Sequence, residues 1–326
     1  LSKTNLSEIS RPIKLELKEF NNQFKQAMRS NVRIVDLVAR YILKQKGKKI
    51  RPLLVLLSAK LSGGVNERSF RGANLVELLH TATLIHDDVV DEASKRRGLP
   101  SINAVWKNKI AVLMGDYLLS RGLMLAVENE DFDFLKTVTN TVRRMSEGEL
   151  LQINKTRKLD IDEETYFKII SDKTASLLST CCEIGARSAT NDTELIDAMA
   201  EFGEYLGIAF QIRDDILDIN GKTSVIGKPL GGDIKEKKIT LPLIYSLESV
   251  EKKDRESVLK LIKNAKKKEN VLAVIDFIKA HGGINYAYKI AADYSQRAKD
   301  KLKLFPDSES KLALEALVDF VIERKK

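Results

Sequence analysis

The chain has 326 residues, 43% of them hydrophobic, enough for a substantial core and too many for a disordered protein. Its net charge of +9 leaves open a nucleic acid, a membrane surface or a polyanionic small molecule as partner, while its two cysteines, the adjacent Cys181 and Cys182, exclude a disulfide framework. We expect no apolar run approaching the roughly 18–20 residues of a membrane span, no secretory leader, and a reducing cytoplasmic location for the two thiols.

In chain order, apolar residues recur at helical spacing almost throughout, and strand-like alternation is nearly absent. In VRIVDLVARYILKQ, Ile34, Leu37, Val38, Tyr41 and Ile42 fall on one face. The run IRPLLVLLSAKLS at 50–62 is apolar nearly all round and predicts a helix at the centre of a bundle; KIAVLMGDYLLSRGLMLAVE at 109–128 reads the same way. Breaks are expected at 62–67, 96–101, 128–133, 189–194, 221–233 and 281–283. The expectation is an all-α, single-domain bundle of ten or more helices spanning 1–326. The stretch 221–233, with four glycines, is too long for a plain connector and points to function. The Lys-rich stretch at 252–270 reads as a solvated helix face and loop. Zinc-finger spacing is absent and aromatics are sparse, so no nucleic-acid partner is expected.

Two stretches carry the chemistry: LIHDDVVDEASKRRG at 84–98 and FQIRDDILD at 210–218. Each sets three aspartates in the spacing D-D-x-x-D inside an apolar helical run. Asp87, Asp88 and Asp91 share a helical face, with His80 and Thr83 toward the N-terminus. Gln211, Asp214, Asp215 and Asp218 recur at i, i+3, i+4 and i+7 as one polar stripe. Carboxylates stacked this way repel, and a hard divalent cation such as Mg2+ relieves the repulsion through carboxylate and phosphate oxygens. One such triplet on a helix is more often an exposed acidic patch; two, both in apolar runs, favour a metal site. Basic residues alternate with the stripes: Lys48, Lys49 and Arg51; Arg96 and Arg97; Lys173 beside Thr174; Lys228; Lys235, Lys237 and Lys238. Each alone is an ordinary surface charge. Together they suit phosphate-bearing substrates. No phosphate-cradling GxxxxGK[ST] loop is present.

The blocks GKKIRPLLVLLSAKL, ELLHTATLIHDDVVDEASKRRG, GDYLLSRG, EGELLQ, SDKTASLLSTCCEIGA and FQIRDDILDINGKTSVIGKPLGGDIKEKKITLPLIY follow one another in an order and spacing that resemble the trans-type isoprenyl diphosphate synthases over about residues 30–245. The resemblance implies helices around a deep central cavity, a cytoplasmic homodimer, and head-to-tail addition of isopentenyl diphosphate to an allylic diphosphate such as farnesyl or geranylgeranyl diphosphate. It implies three Mg2+ ions, with Mn2+ as a substitute. Asp87 and Asp91 would bind two from one side and Asp214 the third from the other, supported by Asp88, Asp215 and Asp218. Arg96, Lys173, Lys228 and Lys238 would hold the allylic diphosphate. Lys48, Arg51, His80 and Arg97 would hold isopentenyl diphosphate. Lys173, Thr174 and Gln211 form the implied catalytic set, with Thr174 and Gln211 facing the reacting allylic carbons. No side-chain base is evident, so the proton lost after condensation is expected to leave with diphosphate.

In such enzymes a large aromatic just before the first acidic triplet stops chain growth early. Here the positions are Ala82 and Thr83, both small, so we expect a long all-trans product of about thirty to fifty carbons, centred on about forty. Leu119, Leu123 and Met124 are candidates for the floor of its cavity, though ordinary core packing explains them equally well. The alternatives are a shorter product of fifteen or twenty carbons, a non-catalytic partner subunit, and a terpene cyclase, which typically lacks the second triplet and the RRG. An apolar product implies transient membrane contact without an integral segment.

Overall fold

The computed structural model describes residues 5–45, 47–220 and 230–323. The helices are α1 (Leu6–Ile9), α2 (Lys14–Ala27), α3 (Arg33–Lys44), α4 (Ile50–Ser62), α5 (Glu67–Val90), α6 (Ile102–Glu128), α7 (Phe132–Lys158), α8 (Glu163–Ile170), α9 (Ser176–Ala189), α10 (Thr193–Asn220), α11 (Gly232–Lys235), α12 (Leu241–Glu248), α13 (Lys252–Lys263), α14 (Lys268–Ala280), α15 (Gly283–Lys301) and α16 (Glu309–Glu323). A π-helical turn, Ser171–Ala175, joins α8 to α9. Strands β1 (Lys95–Arg96) and β2 (Leu99–Pro100) form a hairpin. The all-α expectation holds, and the helix ends fall at most of the expected breaks.

The chain forms two compact units: residues 1–140, 180–200 and 304–314, and residues 141–179, 201–303 and 315–326. In the first, α4 is buried from Pro52 through Ala59, as its all-round apolarity predicts. Asn66 caps α5 by accepting from the Ser69 amide while Ser69 answers the Asn66 amide, a reciprocal box that fixes where the helix starts. Helix α6 lies close along α5. A Cβ on Gly122 would come within 3.3 Å of Leu75, and one on Gly115 would strike the His86 ring at 2.2 Å. Cys181 and Cys182 are fully buried and unbridged. Burial pushes the Cys182 thiol up to about 12, so both behave as core residues.

Two expectations about this unit are corrected. First, α6 is not enclosed within the chain: Val112, Leu113, Met124 and Val127 are 40–55% exposed. A helix apolar all round has two faces to bury, and α5 covers one. By length and composition α6 also meets the requirement for crossing a bilayer, with one third of its most apolar stretch buried. Asp116 and Arg121 divide that run in the sequence and obscured it. Second, the α3 stripe is only partly used: Val38 is buried, whereas Ile34 and Leu37 are exposed.

The second unit has its own core, in which Ile212, Ile216 and Ile219 of α10 pack with Leu241 and Ile244 of α12 and Val274 and Ile278 of α14. Gly283 opens α15 against the Pro242 carbonyl, which a Cβ would meet at 2.0 Å.

Candidate active site

In the first unit a cleft of about 460 Å³ lies at the N-terminus of α4. It is lined by Lys48, Arg51, His80 and Arg97, the four residues expected to share one ligand, together with Gly47, Lys49 and Glu77. The local chain explains the convergence. Lys49 takes a left-handed conformation (φ 49°) that turns the backbone into α4, so the first turn of that helix opens on the cleft. Arg97 and Gly98, at φ 52° and 81°, form the two-residue loop of the β1–β2 hairpin, the positive-φ turn that suits a right-twisted ribbon. The Arg97 guanidinium packs on Gly47, where a Cβ would sit 2.4 Å from it. The Arg51 Nε is enclosed without a hydrogen-bond acceptor among the described residues, an orphan donor of the kind an anion satisfies.

His80 is buried, and desolvation, then Arg51, Arg97 and Arg96, hold its imidazole well below the ordinary 6.5. It is a neutral hydrogen-bonding group. Glu77 was not anticipated; it is a buried carboxylate raised by burial and pulled back by Arg51, Arg97 and Lys49. Its signal was present, as the only acid in GANLVELL, one turn before His80 on the same face.

The first acidic triplet divides by exposure. Asp87 and Asp91 are exposed, Asp91 as the C-cap of α5. Asp88 is buried and accepts from Arg96, with Nε at 2.7 Å and an Nη2 contact beside it. Arg96 thus anchors the hairpin to α5. One turn lower, Ala82 is buried at 2% exposure, while Thr83 is partly exposed and donates its hydroxyl to the His80 carbonyl at 2.9 Å. Among the proposed floor residues, Met124 is 46% exposed, so it is not part of the buried core of this chain.

In the second unit a cavity of about 110 Å³ gathers Lys173, Thr174, Gln211, Asp215 and Lys238 with Asp233 and Tyr166. Lys173 and Thr174 project from the π-turn, a helical irregularity that re-aims side chains. Lys173 pairs with Glu149 of α7 and reaches Gln152 at 3.5 Å. Thr174 donates to Gln211 Oε1 at 3.0 Å, Gln211 Nε2 donates to Asp215 Oδ1 at 2.8 Å, and the Tyr166 hydroxyl donates to Asp215 Oδ2 at 2.7 Å. Asp218 accepts from the Gly232 and Asp233 amides at 3.0 and 3.1 Å, pinning the start of α11. Lys228 lies outside the described residues.

Asp215, Asp218 and Asp233 crowd one another. Burial, then Asp233, pushes Asp215 up to about 8; burial, then Asp218, pushes Asp233 up to about 6. Carboxyls crowded until they keep their protons fit a hard cation, which would displace those protons and take the oxygens. Among the described residues no three carboxylates, imidazoles or thiolates already converge as a metal cage. An ion there would complete its shell with water and phosphate oxygens, which is the habit of Mg2+.

Residues 32–278 match the polyprenyl synthetase family. The short chain isoprenyl diphosphate synthase of Methanothermobacter thermautotrophicus is 34% identical over 291 residues, 88% of this chain and 89% of its own. The all-trans-nonaprenyl-diphosphate synthase (geranyl-diphosphate specific) of Rhodobacter capsulatus is 33% identical over 320 residues, 97% of each chain. The crystal structure of a polyprenyl synthase from Caulobacter crescentus, complexed with calcium and isoprenyl diphosphate, has a TM-score of 0.91 at 33% identity, covering 100% of both chains. A family match over most of the length, with relatives a third identical from end to end, places this chain in the polyprenyl synthetase family as a trans-prenyltransferase.

Proposed function

We propose that this enzyme joins isopentenyl diphosphate head-to-tail to an allylic diphosphate and repeats the addition to a long product, about thirty to fifty carbons. The observation that carries the substrate reading is the α4 cleft, where Lys48, Arg51, Arg97 and a neutral His80 converge and Arg51 Nε has no acceptor among the described residues. These groups would hold the isopentenyl diphosphate. Lys173 and Lys238 on the second cavity, with Arg96 and Lys228, would hold the allylic diphosphate. Holding the two substrates by separate diphosphates turns the condensation into a positioned encounter.

Asp87, Asp91 and Asp214 are the proposed ligands of three Mg2+ ions, with Asp88, Asp215 and Asp218 supporting them. The exposure of Asp87 and Asp91, against an Asp88 committed to Arg96, is consistent with that division. Bound Mg2+ would neutralise the charge that builds on the departing diphosphate. The chain's own part is then to meet the electron-poor allylic carbons without trapping them. Thr174 commits its proton to Gln211, leaving lone pairs for that purpose, and Gln211 is held in one orientation by Asp215. Held in these bonds, both groups present fixed dipoles to the cation and are not free to swing in and bond to it.

The small pair Ala82–Thr83 supports the long product. The short-chain name of the relative at 34% identity favours a second reading, a product of fifteen or twenty carbons. The exposed apolar face of α6 suits a homodimer. Incubating the purified chain with Mg2+, isopentenyl diphosphate and farnesyl diphosphate, then sizing the extracted prenols against standards, tests both readings. A dominant product above thirty carbons is expected; a dominant band of fifteen or twenty would overturn the long-chain reading.

A further inference from the structure

Lys173 and Thr174 owe their placement to five residues that depart from helical continuity, and such a departure must be held by its surroundings. What holds it is a charge cluster that the site itself does not use. Arg144, on α7, donates from Nε to Asp172 Oδ1 at 2.8 Å and from Nη2 to Ser171 Oγ at 2.9 Å. The same guanidinium reaches Glu204 of α10, at 2.8 Å from Nη2 to Oε1 and 3.4 Å from Nη1 to Oε2. Ser171 Oγ also contacts Glu204 Oε1, and Lys168 donates to Asp172 Oδ2 at 3.0 Å. All of these lie in the second unit, with the Arg144 and Glu204 side chains 26% and 19% exposed.

The backbone closes in at the same places. One turn beyond Arg144, a Cβ on Gly148 would stand 3.0 Å from Asp172 Cβ and 3.1 Å from the Lys173 nitrogen. On α10, a Cβ on Gly207 would strike Ala175 Cα at 2.5 Å. Along α10, Glu204, Gly207 and Gln211 therefore meet Ser171, Ala175 and Thr174 in turn, a spacing of i, i+3 and i+7 on one helical face. Arg144 is the cation that binds the start of the turn to this face.

We propose that Arg144 is a positioning residue: by fixing Ser171 and Asp172 against Glu204 it sets where Lys173 and Thr174 stand in the site. The proposal rests on the assignment of those two residues to the allylic substrate. A network that only holds α7 to α10 would lower stability when cut and leave the kinetics of the folded enzyme alone; a positioning network would act on one substrate.

The test uses the Mg2+-loaded enzyme with farnesyl and isopentenyl diphosphates, comparing Arg144→Met, Lys173→Ala and the double variant below their melting temperatures. Misplacement on the ångström scale predicts that Arg144→Met loses about 10- to 100-fold in kcat/KM for farnesyl diphosphate, with KM for isopentenyl diphosphate within about twofold. The double variant should lose clearly less than the product of the two single losses, since part of the Arg144 effect passes through Lys173 and only the Thr174 part remains. A lowered melting temperature with unchanged kcat/KM would overturn the proposal, as would multiplying losses. If Arg144→Met does not fold, Ser171→Ala, which removes one branch of the fork, carries the test: an allylic loss is expected, and parent-like kinetics would overturn it. If Lys173→Ala itself turns over normally, the site assignment falls. Amide exchange across 171–176 then judges Arg144, faster in the Met variant if it holds the turn, unchanged if the proposal is wrong.

Discussion

The hydroxyl of Thr174 donates to the Gln211 side chain at 3.0 Å, and this bond fixes which end of the amide faces which neighbour. With Oε1 taken, Nε2 points at the buried Asp215. Gln211→Glu is nearly isosteric but replaces that donor with a second carboxylate oxygen. We expect it to cost about 1–3 kcal/mol, the cost of a buried polar group left unpaired. For a chain of this size that is a fall of several degrees in melting temperature. It should also slow turnover more than Gln211→Asn, which keeps the amide. Thermal melts and diphosphate-release rates on the parent and the two variants check this; a Gln211→Glu melting temperature equal to the parent's would contradict the hydrogen-bond chain.

Arg96 and Asp88 are the tightest link between the hairpin and α5. Asp88 is 2% exposed, so deleting its partner strands a buried charge. Arg96→Ala is expected to destabilise by about 3 kcal/mol, at the lower end for a broken buried pair because Arg96 keeps some solvent contact. The double change Arg96→Met with Asp88→Leu should recover much of that loss in stability while remaining inactive. Denaturant midpoints across the double-mutant cycle check it, and additive losses would show that the pair is not coupled.

Much of this was legible in the residues. The breaks at 62–67, 128–133, 189–194 and 281–283 carry Gly, Asn, Asp or Thr at helix ends, and the helices stop there. Lys48, Arg51, His80 and Arg97, spread over three stretches of sequence, line one cleft. The β1–β2 hairpin shows in the sequence only as a break, because Arg97–Gly98 lacks the Asn or Asp that usually marks a two-residue turn. The π-turn is written in no periodicity at all; it depends on Arg144 and Glu204, distant in sequence from the residues they hold. Helix α6 shows the limit of an all-round apolar pattern: it specifies that two faces be buried without naming what covers the second.

His80 supplies a pH prediction whose sign follows from its surroundings. Burial first, then Arg51, Arg97 and Arg96, depress its folded pKa, while Glu77, Lys48 and Lys49 are the other charged groups lining the cleft. Unfolded, the imidazole titrates near 6.5. Below that pH the unfolded chain therefore binds a proton that the folded chain refuses, so stability falls as pH drops through about 6.5 and His80 adds no slope above it. His80→Asn should flatten the melting-temperature profile between about pH 7 and pH 5 relative to the parent. A parent-minus-variant difference that stays constant with pH would contradict a depressed imidazole. Diphosphate in the cleft favours the imidazolium, so its stabilising effect on the parent should grow as pH falls and shrink in the variant.

Ala82 and Thr83 are not equivalent probes of product length. Ala82 is buried, so Ala82→Phe forces a ring into packed surroundings and is expected to cost about 1–3 kcal/mol whatever it does to the product. Thr83 is partly exposed, with its hydroxyl turned back onto the His80 carbonyl, so a phenyl group there is expected to cost less than one at Ala82. If chain growth passes this point, Thr83→Phe should shorten the dominant product by several isoprene units while leaving the first condensation within about threefold of the parent, because the ring lies a full turn from Asp87. Sizing the products of both variants beside the parent checks this. An unchanged length in a folded Thr83→Phe enzyme would move the wall elsewhere, and loss of the first condensation would place Thr83 at the reacting carbons instead.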